Sequence, residues 1–349
     1  MVRIAVLKAN SSSKGGLEKT TRRLVDGFRA RGAEVSLLTQ SVHGPRFLQL
    51  ERYDRYVQRW INDHHPDLIF GMERNRIQTH FRAGNGVHAA YLHSRGWLKR
   101  TCAWFSPFHR KILELEYACY SCSRLQKVFV NSHMVKRELL HYYDVDPHKI
   151  FVFHNGVEWK ELEHDYSIWP DRDPSRVHFL FAGNGYARKG LKPLLFALAR
   201  LNERAIHLSV VGKEKQINYY QALTEQLNLS RQVTFFGPQS DLRPFYRAAD
   251  ILVVPSLYDP FANVTVEALA MGLFVVSSQS NGGHEILTPE NGLVIPNIFD
   301  EEAFGDTLRA AMNHRKTKTS AEQIRNSARH LDYSLQLNAL IDCCILPRA

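Results

Sequence analysis

VRIAVLKANSSSKGGLEKTTRRLVDGFRARGAEVSLLT, residues 2–39, reads as strand, glycine-bearing loop, helix and strand. Residues 2–7 are an apolar strand-forming run, and Leu17, Thr21, Leu24, Val25 and Phe28 recur at helical spacing along one face. Gly32 stops the helix and residues 34–39 open the next strand, giving a βαβ unit with glycines at its helix entrance. Outward from there, 67–71, 127–132 and 150–156 read as further strands separated by helical stretches. A second series, 177–183, 205–212, 232–237, 250–256, 272–278 and 292–296, is nearly continuously apolar, as strands buried on both faces must be. The expected fold class is therefore α/β, with two doubly wound Rossmann-like domains facing a cleft where ligands meet the carboxyl ends of strands.

At 349 residues the chain exceeds the roughly 250–300 residues at which one core stops growing, which agrees with two domains. HDYSIWPDRDPS (164–175), with two prolines and no apolar face, reads as the linker between a domain at 1–165 and another at 166–335. Residues 320–349 read as helical, and 336–349 are expected to cross back to the first domain. With 44% hydrophobic and 23% charged positions the composition is globular, which excludes disordered, collagen-like and disulfide-scaffold classes. Five cysteines without an apolar leader suit a reducing, cytoplasmic setting. Cys119 and Cys122 lie in a helical segment without a second ligand pair, and no run reaches the roughly 18–20 apolar residues of a membrane span.

Residues 1–150 hold 25 Lys/Arg against 13 Asp/Glu, while the remainder holds 20 against 22. The basic half faces a polyanion, namely nucleic acid, anionic lipid or a phosphorylated substrate, or is simply a solvated surface. No helix-turn-helix, zinc or RNA-sheet motif accompanies it, so no nucleic-acid partner is expected.

SLYDPFANVTVEALAMGLFVVSS (256–278) carries the densest chemistry: Asp259, a turn at Pro260, Asn263 as a helix cap, and Glu267 on the following helix. A loop entering a helix offers free N–H groups and a positive dipole end to an anionic or polyhydroxyl ligand. Glu267 can accept from a ribose diol, or can be an acid that merely complements the dipole. In FAGNGYARKGLKPLL (181–195), Gly183 and Gly185 precede Arg188 and Lys189, two cations that suit a diphosphate. The third glycine and the ribose acid of a dinucleotide fingerprint are missing, which disfavours a nicotinamide enzyme. Gly15 and Gly16 let a phosphate or sugar approach the first loop, or serve only as a tight βα turn.

Taken in order, SSSKGGLEK (11–19), HNGVE (154–158), ARKG (187–190), VVGKEK (210–215), FFG (235–237), RAADILVVPS (247–256) and the D-x7-E element resemble the family 4 glycosyltransferases of the GT-B fold. Within that family the chain is most similar to enzymes that glucosylate lipopolysaccharide core. Where the family usually has Glu at the first acid, this chain has Asp259. The resemblance implies a retaining, metal-independent hexosyltransferase that uses a UDP-sugar and needs no cofactor. It assigns the ribose to Glu267, the diphosphate to Arg188 with Lys189 or Lys215, and the donor sugar to Asp259 with Phe261, Ala262, Asn263 and Val264. The acceptor implied is a lipid-linked saccharide, with the enzyme peripheral at the cytoplasmic face of the inner membrane. A soluble acceptor is the alternative.

The acceptor side is expected in the first domain, where HFRAGNGVHAAYLHSR (80–95) reads as one loop carrying Asn85 and His88. Either could orient an acceptor hydroxyl or the sugar, and either could be merely structural; His154 is a weaker candidate. RGWLKRTCAWFSPFHRK (95–111) interleaves Trp97, Trp104, Phe105 and Phe108 with cations. That pattern suits an anionic membrane surface, and composition alone would also fit stacked single-stranded nucleic acid or plain core.

Overall fold

The structure is a computed structural model that describes residues 1–9, 16–40, 43–95, 101, 103, 105–170, 173 and 175–345. The chain divides into two compact units, residues 1–154 with 335–349, and residues 155–334.

In the first unit, β1 (Arg3–Leu7), β2 (Glu34–Leu38), β3 (Leu68–Gly71), β4 (His80–Arg82), β5 (Lys127–Val130) and β6 (Ile150–Val152) form a parallel sheet in the order β2-β1-β3-β4-β5-β6. The chain starts inside the sheet and winds outward both ways, which puts helices on both faces. Alternation along β1 shows this. Ile4 and Val6 pack with Phe28, Phe70 and Phe129, while Ala5 and Leu7 pack on the other face with Tyr53, Val57 and Ile61. The helix Gly16–Ala30 buries Thr21, Leu24, Val25 and Phe28, the face its periodicity predicts.

The C-terminal helix Tyr333–Ile345 contributes Leu340, Ile341 and Cys344 to the same cluster as Ile4 and Phe28. Burying each aliphatic side chain is worth about 1.5–3 kcal/mol. The Arg31–Asp342 ion pair at 2.7 Å ties its outer edge to the first helix.

The second unit repeats the plan with β7 (Val177–Ala182), β8 (Ile206–Val211), β9 (Val233–Gly237), β10 (Ile251–Val254), β11 (Phe274–Ser278) and β12 (Gly292–Ile295), all parallel, in the order β12-β11-β10-β7-β8-β9. Every residue of β10 and β11 is buried, whereas the edge strand β9 alternates and leaves Phe236 exposed.

Three sequence expectations need correction. Residues 159–167, partly read as linker, form a helix whose Trp159 and Leu162 sit in the core of the second unit. Residues 80–95 are not one loop: β4, a turn and the helix His88–His93 succeed one another. Asn263 does not cap the helix Asn263–Ala270; it is the first helical residue, and Ala262 stands at the cap position without a side-chain bond.

Candidate active site

In the second unit the site is built around the segment joining β10 to the helix Asn263–Ala270. The Asp259 N–H donates to Ser280 O at 2.8 Å and the Gly282 N–H donates to Asp259 O at 2.9 Å, so this loop is zipped onto the one following β11. Asp259 is buried. Its Oδ2 accepts from Lys189 Nζ at 2.6 Å and Arg188 Nη1 at 3.1 Å, while Oδ1 accepts from the Phe261 N–H at 3.2 Å. The two candidate cations and the first candidate acid thus form one cluster with a net single positive charge. Lys189 is enclosed, whereas the Arg188 side chain keeps 41% exposure and can still reach a ligand.

Glycines make the cluster possible. Gly190, at φ +79°, separates the short helix Tyr186–Lys189 from Leu191–Leu201, and a Cβ there would lie 1.8 Å from Pro255 O. Only glycine permits that approach of the cation turn to the end of β10. The Lys189 stem lies across Gly183, whose Cβ would meet Lys189 Cε at 3.1 Å.

Asn281, fully buried, was not singled out from sequence. Its Oδ1 accepts from the Ala262 N–H at 2.9 Å and the Gly283 N–H at 3.2 Å, and its Nδ2 donates to Ser277 Oγ at 3.0 Å and Thr265 Oγ1 at 3.3 Å. One amide therefore joins loop, helix and strand, using both its oxygen and its NH2 group. The N–H groups of Phe261 and Ala262, expected to face a donor sugar, are consumed inside the protein, and both side chains are buried. Among the described residues no group accepts from the N–H of Asn263 or Val264, so the open donors lie two residues further on. The Asn263 side chain accepts from Asn155 Nδ2 at 2.8 Å.

Glu267 is the fifth residue of its helix, beyond the first turn, so the reading of it as a dipole-complementing acid loses its basis. Tyr246 Oη donates to Glu267 Oε2 at 2.7 Å, and Oε1 accepts from no group among the described residues. Burial raises the carboxyl above its usual pKa, opposed by the Tyr246 bond. Tyr246, itself buried, is pushed far above the phenol range by burial and then by the Glu267 charge. A half-buried acid with an unspent oxygen is suited to take a hydroxyl pair from a ligand.

Lys215 is exposed, with no partner among the described residues. Its neighbour Glu214 accepts from the Tyr186 N–H at 2.6 Å and the Gln216 N–H at 3.0 Å, which anchors the turn that carries it. Gly16 begins the first helix; Gly15 lies outside the described residues, as do Trp97 and Trp104.

In the first unit, Asn85 is an exposed turn residue and His88 opens the helix His88–His93. His88 Nε2 lies 3.0 Å from His109 Nδ1. Burial, reinforced by the charge of Arg74, lowers the His88 pKa to about 4, and burial with Arg95 lowers that of His109. Both rings are therefore neutral at pH 7, with one donating to the other. Beneath them Glu116, fully buried, accepts from Arg74 Nε at 2.7 Å, Tyr143 Oη at 2.7 Å, the His88 N–H at 2.8 Å and the Ala89 N–H at 3.2 Å. Sequence reasoning missed this support, because its members are scattered from 74 to 143.

Two all-parallel Rossmann-like units, one carrying a cation–carboxylate cluster at a strand end and an open acid on the next helix, define a glycosyltransferase of the GT-B fold. The chain belongs to that class: residues 14–160 match the Glycosyltransferase Family 4 domain and residues 170–330 the Glycosyl transferases group 1 domain. It is 25% identical to the lipopolysaccharide glucosyltransferase WaaG of Escherichia coli K12, covering 92% of this chain and 93% of that protein. A D-inositol 3-phosphate glycosyltransferase of Corynebacterium glutamicum is 29% identical over 54% of this chain and 49% of its own length. The fold matches the crystal structure of WaaG, a glycosyltransferase involved in lipopolysaccharide biosynthesis, with a TM-score of 0.74 at 20% identity over 99% of this chain and all of that one. It also matches Anabaena HepE in complex with UDP-glucose, with a TM-score of 0.69 at 17% identity over 98% of both chains.

Proposed function

We propose that this glycosyltransferase moves a hexose, glucose in the first instance, from a UDP-sugar to a lipid-linked saccharide such as lipopolysaccharide core. Transfer proceeds with retention, without a metal ion, on an enzyme held at the cytoplasmic surface of the inner membrane. The observation that carries the donor half is Glu267: a half-buried acid with one oxygen held by Tyr246 and the other unspent, eight residues beyond the paired Asp259. In this reading Oε1 takes the ribose hydroxyls. Arg188 with Lys189 or Lys215, and the Asn263 and Val264 N–H groups, meet the diphosphate and donor sugar.

As the glycosyl–phosphate bond breaks, negative charge gathers on the departing diphosphate. Fixed cations and open N–H groups favour that state over the intact donor, because they need no reorganisation. Asp259 holds Lys189 and Arg188 in place beforehand. No titratable residue has to deliver a proton to such a leaving group. Support for the UDP-sugar comes from the Anabaena neighbour solved with UDP-glucose, and for the acceptor from the full-length likeness to WaaG.

Asn85 and His88 are assigned to the acceptor side. For the membrane, Phe105 is 86% exposed, and Tyr117 and Arg110 are exposed on the adjoining helix Pro107–Tyr120. No described helix is long and apolar enough to cross a membrane. A soluble phosphorylated acceptor is the second reading, favoured by the part-length likeness to the D-inositol 3-phosphate enzymes.

The test is thermal unfolding with UDP, GDP, ADP, CMP, NAD and a panel of UDP-sugars, on wild type and Glu267→Ala. UDP species should raise the wild-type midpoint and lose most of that effect in the variant. Response to NAD alone, or to no nucleotide, would overturn the donor assignment. Anomeric NMR of the product then tests retention, and salt-sensitive binding to anionic vesicles separates the two acceptor readings.

A further inference from the structure

The first unit holds a cavity of about 200 Å³ that no assignment above uses, lined by Ala9, Gln40, Arg46, Gln49, Tyr53 and Phe108 among others. Ala9 follows β1 and Gln40 follows β2, so the cavity opens at the carboxyl ends of the first two strands, where α/β sheets place their ligands. At that volume it is smaller than the roughly 300–1,000 Å³ of drug-sized sites and suits a single sugar ring.

Its charge is what selects the ligand. Three other cations of the first unit are neutralised: Lys8 pairs with Glu73 at 3.0 Å, Lys111 with Glu51 at 2.8 Å and Glu114 at 2.6 Å, and Arg76 with Asp54, Glu51 and Glu114. Among the described residues Arg46 pairs with no carboxylate, and none that lines the cavity is an acid. The Arg46 guanidinium instead rests over the Phe108 ring, 5.8 Å from its centroid, an arrangement that fixes a cation without neutralising it. The remaining lining fits a carbohydrate. Phe108, Leu50 and Tyr53 form an apolar floor, Gln40 offers a side-chain amide with no partner among the described residues, and Gln49 spends only its NH2 group, donating to Gly44 O at 2.6 Å.

We propose that this cavity binds a sugar ring bearing an anionic group, phosphate or carboxylate, with Arg46 on the anion, Gln40 and Gln49 on hydroxyls, and the Phe108 ring against the sugar face. The inference rests on the assignment of the first unit to the acceptor, and it adds that the acceptor carries a charged saccharide. Nothing in it depends on the donor.

The test is ligand-observed NMR titration of the full chain with glucose 6-phosphate, glucuronate, glucose and inorganic phosphate. Wild type should bind glucose 6-phosphate or glucuronate saturably in the millimolar range and bind glucose more weakly; which of the two binds better identifies the anion. Arg46→Gln should weaken the preferred ligand roughly tenfold, about 1.4 kcal/mol, and Phe108→Ala should weaken glucose and the charged sugars alike. Unchanged midpoints and an unchanged UDP response verify that both variants fold. Equal binding by Arg46→Gln and wild type would overturn the proposal, as would no saturable binding to wild type. Inorganic phosphate binding as tightly as the sugar phosphate would reduce the site to a simple anion contact and also overturn it. If charged sugars bind while UDP does not, the donor reading fails and this one stands.

Discussion

Glu116 in the first unit, fully buried, and Glu267 in the second, half-buried, are both acids drawn out of water, yet they are treated oppositely. Glu116 accepts four hydrogen bonds, one of them from the Arg74 guanidinium. Burial works against the charge on Arg74, but the Glu116 carboxylate holds its pKa above the ordinary value. Glu267 receives one bond, from a phenol, and burial lifts its pKa. A buried acid whose bonding capacity is filled belongs to the scaffold, whereas one left with capacity is costly in isolation and gains when a ligand arrives. The contrast separates framework from site without reference to chemistry.

The largest test of the contrast is Glu116→Gln. It leaves Arg74 charged and uncompensated, and should cost about 3–5 kcal/mol in urea unfolding. A cost under about 1 kcal/mol would mean that Glu116 is not framework. Asn281→Ala comes next. With the Ala262 and Gly283 N–H groups stripped of their acceptor, about 2 kcal/mol should be lost. The same variant should blunt stabilisation by UDP-glucose, since the Asn263 and Val264 donors depend on that loop.

A smaller effect is expected at His88. Its folded pKa of about 4 lies below the unfolded value of about 6.5, so the native state binds fewer protons and stability falls as pH drops through that window. His88→Gln should flatten the pH dependence by roughly 1 kcal/mol after solvent screening, measured as urea midpoints against pH.

The smallest effect is on the unliganded stability of Glu267→Gln. Because the folded pKa is raised, wild type loses stability as pH climbs from below the unfolded carboxylate range through the raised value. The variant lacks that loss. It should therefore match or slightly exceed wild type at neutral pH, while losing the UDP response. A variant clearly less stable than wild type would place Glu267 with Glu116 as framework.

Much of this was legible in the sequence where burial leaves a pattern. The strands of the second unit read as apolar runs because β10 and β11 are covered on both faces, and D-x7-E shows itself because loop and helix are contiguous. Residues 80–95 misled because a three-residue strand and a six-residue helix are too short to establish a period. Asn281 resembles any turn asparagine until Ala262, nineteen residues upstream, lies beside it. Glu116, inside an apolar helix face, gave no sign that Arg74 would be its partner. Arg46 is conspicuous only once Lys8, Arg76 and Lys111 are seen to be paired.

The docking of the helix Tyr333–Ile345 into the first core also bears on the birth of the molecule. On the ribosome, residues 155–334 are made as one uninterrupted stretch, so the whole second unit precedes the segment that completes the first. The first unit, although begun earlier, waits with the surface around Ile4, Phe28 and Phe129 uncovered until Leu340, Ile341 and Cys344 leave the exit tunnel. The half made first is thus finished last, and a chain cut before Leu340 would join a completed second unit to a first unit with an open, aggregation-prone face.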